Sequence, residues 1–599
     1  MAALEHRAVW LSSKDLFFIV PAFVCLALFH SSAFAQEEIS TGELSTPSLG
    51  PLLEDQWTSQ NSQAIDVHLY AMPEGPLQPE MSISLTIRDA IRIALFGNYD
   101  ILAEQYVPQV AELEIQKARG VFDTYLNSSY AHDYASELTS SQLQGSSTNI
   151  LKTRRIVSEI GLAKMVETGG RLELKLDLAR YGSNSAFLTL NPSYTTHLNL
   201  SIAQPLLKNA GFAFQKAPIR IAENRHVISE DQWKGFVSDT VFQVVQAYWD
   251  LVFAFQNLEV RQSSLNLARE LLRENEARVR LGTLAPVELL QSRTGVSLRE
   301  EEVLDADSLL QVAQDLLKGL LQWEKAPVRS STKIEPVEIP PEPPEHEDNA
   351  LAQAVDLALR TRPEYRAAQK DLETKNLQIK MAENGLLPNL DLTGEIGLNG
   401  LGGSSAESTD YFALSKLSEL ERLLIALGLL EPPKAKSPLD GDWHRSFKEL
   451  FDSETYQWSV GIRFEMPIEN RAAKSEYLQS KLEAYRSLWS LRSLEEKITL
   501  EVKEAWRAQQ TNREKVRTSI ATQTFARQQF EAEQKKLSFG LSTNYQLLKM
   551  EEDLRSAQIN TLRAKIKYWK DRARFEKTKG SLLEREGIRI EDIASIRRG

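Results

Sequence analysis

The feature that most constrains this chain is a long helical hairpin present twice. The first copy runs roughly from Phe236 to Leu321 and turns at Leu281-Gly282-Thr283. The second runs roughly from Leu494 to Lys579 and turns at Phe539-Gly540-Leu541. After the first turn Leu289, Val296, Val303, Leu310 and Leu317 recur at heptad spacing. After the second, Leu547, Leu554, Thr561 and Tyr568 do the same, with Met550, Ala557 and Ala564 three residues behind each of the first three. This is the a/d seam of a coiled coil. The copies align without a gap. Ala247-Tyr248 fall on Ala505-Trp506, Val279 on Leu537, Gly282 on Gly540 and Leu289 on Leu547, which reads as a tandem duplication.

The start of the chain sets the compartment. Arg7 and Lys14 precede an apolar run from Leu16 to Phe29, and Ala33-Phe34-Ala35 offers a small-x-small cleavage site before Gln36. We read residues 1–35 as a secretory signal peptide. The single cysteine, Cys25, lies inside it, so the mature chain is expected to hold no disulfide, thiol nucleophile or cysteine metal site. The net charge of −12 argues against a nucleic-acid partner. Beyond the signal no run of apolar residues is long enough for a transmembrane helix. Leu417–Leu430 comes nearest, but Glu419, Glu421 and Arg422 interrupt it, and it reads as an amphipathic helix in a loop.

In chain order, residues 36–82 form a polar leader without periodicity. Residues 83–325 form a first repeat, 326–347 a proline-rich linker, 348–580 a second repeat and 581–599 a tail. Each repeat opens on a helix, Leu85–Arg119 and Leu351–Asn384, and leads into strands. Leu390, Leu392, Ile396 and Leu398 alternate with polar residues, as do Trp458, Val460, Ile462 and Phe464, and Leu198, Leu200 and Ile202. Residues Leu126–Tyr134 form a weaker strand carrying aromatics. Such alternation suits a wall with lipid on one side and a wet lumen on the other. A further hairpin, 156–178, turns at Glu167-Thr168-Gly169-Gly170 and has no equal in the second repeat. The glycines from Gly394 to Gly403 read as a loop, with no phosphate-cradling helix beside them.

Length then implies assembly. Each repeat contains one helix of roughly 65 to 70 residues, or about 100 Å, and one of roughly 35 residues, or about 50 Å. One chain cannot close a tube walled by such helices. Four strands cannot close a barrel, and an open edge is not tolerated in lipid. Both parts require a homo-oligomer.

These residues resemble the TolC-like outer-membrane efflux protein family over about Leu85 to Gly580. The matching features are the duplicated Ala90/Ala94-Leu95 and Ala354/Ala358-Leu359 helix starts, Gln204-Pro205-Leu206-Leu207, Met466-Pro467-Ile468 with Asn470-Arg471, and the two tip turns. The resemblance implies a mostly α fold with membrane β. Coiled-coil hairpins would form a periplasmic tunnel below a trimeric, shared transmembrane barrel of about 12 strands, more if the 156–178 hairpin joins it. It implies a passive exit duct of a tripartite efflux pump or type I secretion system in the cell outer membrane. Partners would be a periplasmic adaptor, an inner-membrane transporter and outer-membrane lipid. Read from the residues, no HExxH, P-loop or catalytic Ser/His/Asp spacing stands out, so no catalytic residue, cofactor or metal is expected.

Three groups of residues are singled out. Leu281, Gly282, Thr283, Phe539, Gly540 and Leu541 form the expected adaptor-docking tips. Glu288, Gln546 and Lys549 lie within two turns of them and are expected to line the pore constriction. Here the sequence departs from the family, whose members often carry acidic residues where Gln546 and Lys549 stand. Tyr130, Tyr134, Tyr194 and Trp458 are candidates for an interfacial aromatic belt. The competing reading is a periplasmic adaptor or structural coiled coil without a pore. Adaptors usually carry one hairpin per chain, so the duplication and the amphipathic strands favour the duct.

Overall fold

The duplication is carried by the ends of the helices. In a computed structural model of the chain, α4 (Ala217–Arg280) and α5 (Pro286–Leu321) form the first hairpin, and α10 (Arg471–Ser538) and α11 (Asn544–Thr578) the second. Both tip boundaries repeat with the register of the sequence alignment. The structure describes residues 82–140, 149–185, 188–282, 285–322, 333–344, 350–406, 414, 416–431, 437–452, 455–539 and 541–588. The signal peptide, most of the leader and the last residues of the tail lie outside them. Among the described residues no helix is long and apolar enough to cross a membrane.

The chain divides into two units. Among the described residues the sheet unit comprises Gln116–Arg220 and Leu377–Lys481, and the helical unit holds 82–115, Ile221–Asn376 and Leu482 onward.

In the helical unit the expected N-terminal helix is broken into α1 (Ile87–Gly97), α2 (Tyr99–Glu104) and α3 (Tyr106–Arg119). Side-chain capping explains the first break. Thr86 accepts from the Asp89 amide at the start of α1, and Asn98 accepts from the amides of Asp100 and Ile101 to restart the chain as α2. The second repeat has the equivalent pair α6 (Leu351–Thr361) and α7 (Pro363–Asn384), where Pro363 ends α6. Ala90 and Ala94 pack into a core with Val241, Val244, Tyr248 and Leu317, while Ala354 and Ala358 pack with Ile498, Val502 and Phe575. Small residues on the short helix let the long helices approach in both repeats. Two short parallel strands, β1 (Ser82–Leu85) and β6 (Lys333–Pro336), close the first core, and the Tyr248 hydroxyl donates to the Leu85 carbonyl at 3.0 Å. Helix α7 bridges α4 and α10. Asn224 donates to Thr374, and Lys375 and Asp371 meet Glu483 and Ser487.

The sheet unit has six antiparallel strands rather than the four the repeat pattern implies. They are β2 (Thr124–Leu138), β3 (Ile150–Met165), β4 (Arg171–Ser183), β5 (Leu190–Pro205), β7 (Asn389–Ser405) and β8 (Tyr456–Glu465). Their order is β2-β3-β4-β5-β7-β8, so β2 and β8 are the edges. The expected 156–178 hairpin is β3 and β4, and it sits inside the sheet. Its turn works because Gly169 has φ +94°, and a Cβ there would lie 2.5 Å from the Asn209 carbonyl oxygen.

The glycine-rich stretch is not a loop: Gly394 through Gly403 all lie in β7. The long segment after β7 contains α8 (Glu419–Ala426), with a Ser418/Glu421 capping box, and α9 (Trp443–Phe451). Helix α9 lies on the sheet, and its backbone occupies the space that side chains would need. A Cβ on Gly400 would come 2.0 Å from the Ser446 carbonyl oxygen. Gly400 and Gly402 thus allow a close approach of the α9 backbone to the strand, where any side chain would clash.

Candidate duct wall and hairpin tips

Cross-strand register sorts the sheet residues onto two faces, because directly paired residues share a side. One face carries Leu126, Ile160, Leu162, Leu174, Leu176, Leu198, Leu200, Ile202, Ile396, Leu398, Val460, Ile462 and Phe464. Leu200, Ile396 and Ile462 on this face are 46, 51 and 70 % exposed within the chain. The opposite face is polar. Ser129, Glu159, Asp177, His197 and Asn399 follow one another by direct pairing across five strands. Lys175 bridges Glu159 at 3.3 Å and Asp177 at 3.1 Å, Asn199 donates to Glu395 at 2.8 Å, and His197 meets Asn399 at 2.7 Å. A wall apolar on one side and hydrogen-bonded on the other separates lipid from water.

Helix α9 covers part of the apolar face. Trp443, Ser446 and Leu450 are buried against Tyr194, Thr196, Ile156 and Leu178, with the Tyr194 and Trp443 rings 4.9 Å apart and the Thr196 and Ser446 hydroxyls 2.6 Å apart. Strands of 16 and 17 residues, such as β5 and β7, exceed the roughly 9–11 that span a bilayer. The covered stretch is where the apolar face runs on past that length. Of the four belt candidates, Tyr130, Tyr134 and Trp458 are 46, 59 and 68 % exposed on the apolar face. Tyr194 is 3 % exposed and belongs to the α9 contact instead. No periodicity in the sequence distinguishes it, because its partner lies some 250 residues away.

At the tips the predicted turns are exposed. Leu281, Phe539 and Leu541 are 78, 79 and 77 % exposed, and Gly282 takes the left-handed φ of +73° that ends α4. Thr283 and Gly540 lie outside the described residues. Glu288 sits in the first turn of α5, and Gln546 donates its amide to the Thr543 cap of α11. Among the described residues no ion pair joins Glu288 to Lys549.

The hairpins are joined instead by a buried polar network farther along. Arg299 on α5 pairs with Glu551 on α11 at 2.5 Å, and their side chains are only 9 and 8 % exposed. Ser264 on α4 donates to Glu551 at 2.5 Å and accepts from Arg299 at 3.0 Å. Next to it Glu302 receives both Arg555 and Arg261. Nearer the tip Asn275 donates to Ser292 at 2.7 Å and accepts from Asn544 at 2.8 Å, all three buried. Three helices are thus stitched by polar layers in a seam that is otherwise aliphatic. The signal is visible in the sequence. Arg299 stands three after Val296 at a seam position where the second repeat has Ala557.

Residues 354–581 match the model of the outer membrane efflux protein family. No curated protein matches the chain by sequence. Solved structures match most of it by fold. The CmeC outer membrane channel of Campylobacter jejuni aligns with a TM-score of 0.55 at 15 % identity, over 84 % of this chain and 90 % of that one. The outer membrane protein VceC of Vibrio cholerae aligns with a TM-score of 0.53 at 13 % identity, over 82 % and 96 %. The open state of the MtrE outer membrane channel of Neisseria gonorrhoeae aligns with a TM-score of 0.52 at 14 % identity, over 83 % and 89 %. Residues 354–581 are thus similar in sequence to outer membrane efflux proteins, and most of the chain shares the fold of the matched outer-membrane channels.

Proposed function

We propose that the chain is a passive exit duct in the outer membrane. It takes cargo from an inner-membrane transporter through a periplasmic adaptor, as one component of an efflux pump or type I secretion system. The observation that carries this reading is the sheet: apolar on one face, hydrogen-bonded polar on the other, with two edge strands, β2 and β8, that pair with no further strand among the described residues. Such edges are stable in lipid only when neighbouring copies pair with them. Three copies would close both the barrel and the tube of hairpins, and the tips, where Leu281, Phe539 and Leu541 are exposed, would offer the adaptor repeated docking surfaces. The duct performs no covalent chemistry. Glu288, Gln546 and Lys549 would line its narrow entrance. The buried Arg299–Glu551 layer would hold the hairpins packed until the adaptor engages.

Extraction and mass measurement test this reading. The protein should leave the membrane only with detergent and should run as a trimer in mild detergent. Release by carbonate or salt, or a stable monomer with full helicity, would overturn it.

A further inference from the structure

The family expectation of four strands per chain does not hold here, and the extra pair is part of the wall. β3 pairs with β2 along its whole length, from Thr124↔Lys164 to Leu138↔Ile150, and β4 pairs with β5 from Arg171↔Ala203 to Tyr181↔Ser193. The hairpin therefore does not project from the sheet or lie across it. Its faces are also in phase. Leu174, Leu176 and Leu162 continue the apolar side, and Glu159, Lys175 and Asp177 continue the polar row. The β3–β4 turn is anchored at the strand end that meets the following segment, where Gly211 donates its amide to the Thr168 carbonyl at 3.0 Å.

We propose that three copies close an eighteen-stranded barrel whose lumen admits hydrophilic cargo about 20 Å across. This rests on the trimeric duct reading above. Strands about 4.8 Å apart and tilted by about 40° give a backbone diameter of about 36 Å for eighteen strands and about 24 Å for twelve. With about 5 Å of side chain on each wall, the lumens are about 26 Å and about 14 Å. Two observations say that this space stays open. The polar face carries short side chains that stay accessible, among them Ser201, Ala203, Ser459 and Gly461. Helix α9, from the long segment after β7, packs on the apolar face and not on the polar one. At the membrane the duct would pass bulky polar solutes, such as short peptides with their hydration shell, that a twelve-stranded wall would exclude.

The pairing supplies its own control. Because His132, Ile156, Arg180 and Tyr194 lie in one cross-strand row, deleting residues 139–189 brings β2 beside β5 with faces still matched. Ser201→Cys places a thiol on the polar face of the sheet, and maleimide-tagged polymers of graded size are added from outside the cell. The full chain should be labelled by polymers of about 20 Å and up to its lumen of about 26 Å, and the deletion variant only by those below about 14 Å. Labelling of the full chain by a small maleimide but by none above about 14 Å would overturn the proposal, as would equal size limits in both chains. If the deletion variant does not assemble, the size limit of the full chain decides alone. Mass in detergent separates the two readings: a trimer with the narrow limit sinks the wide barrel, whereas a monomer sinks the duct itself.

Discussion

Arg299 and Glu551 are two buried charges that satisfy each other, with Ser264 completing the hydrogen bonds. Removing one partner strands the other in an apolar seam, which costs about 3–5 kcal/mol, whereas replacing both by apolar residues of similar size is close to neutral. Arg299→Met alone should therefore lower the melting temperature markedly, and Arg299→Met with Glu551→Met should recover most of it. Equal losses in the single and double variants would show that the pair is not coupled. Glu576 offers a pH test. Burial pushes its carboxyl up, but the Ser581 hydroxyl, Lys579 and Arg585 outweigh that and leave it below its usual 4.5. A carboxyl lowered by folding stabilises the fold above its unfolded pKa, and that stability is lost as the pH falls through the folded one. Glu576→Gln should destabilise by about 1–3 kcal/mol at neutral pH, with the difference from wild type shrinking once the pH drops below 4.5. Melting curves across pH 3 to 7 in roughly unit steps would read this, and a pH-independent difference would refute it. Asp231 has the opposite sense. It is buried, desolvation raises its pKa despite Arg366 at 3.6 Å, and its cost to the fold grows as the pH rises.

Among the elements, α9 and β7 show how a sequence pattern acquires its meaning from a neighbour. Glycines in a strand weaken it, and a run of them looks like a loop. Here Gly400 and Gly402 are the floor on which α9 lies, and burying Trp443 and Leu450 contributes about 2–3 kcal/mol each. Gly400→Ala should push α9 off the sheet. The emission of Trp443 should shift to the red while the helical hairpins keep their circular dichroism. An unshifted spectrum, read in a background where the other tryptophans near the sheet are replaced, would mean that α9 tolerates the methyl group. The N-terminal helix makes the same point in reverse. Its apolar positions were legible, but its breaks depend on Asn98, whose side chain caps α2 while donating to the Leu320 carbonyl at 2.9 Å.

For the molecule as a whole, the duct reading puts the tightest point at the tips. Three copies would set a ring of Glu288 carboxylates and a ring of Lys549 ammoniums near one entrance, and such rings select ions by charge. Glu288→Gln should lower cation preference in planar bilayers, and Lys549→Glu should raise it. Unchanged selectivity and conductance in both variants would remove these residues from the narrowest part of the pore.

The hairpins, their turns and their duplication were determined by the sequence alone. A heptad seam is a local property, and Leu289 or Leu547 declares its face within a few turns of its neighbours. The same holds for the alternation in β8 and in the β3–β4 hairpin, where the period of two names both faces before any partner is known. Only the tertiary structure decided which strands adjoin. It placed β3 and β4 inside the wall, buried Tyr194 under Trp443, turned the glycine run into a docking floor and joined the hairpins through Arg299 and Glu551. Each of these rests on a contact between residues far apart in the chain. Local periodicity says which side of an element seeks a partner, and only packing selects the partner.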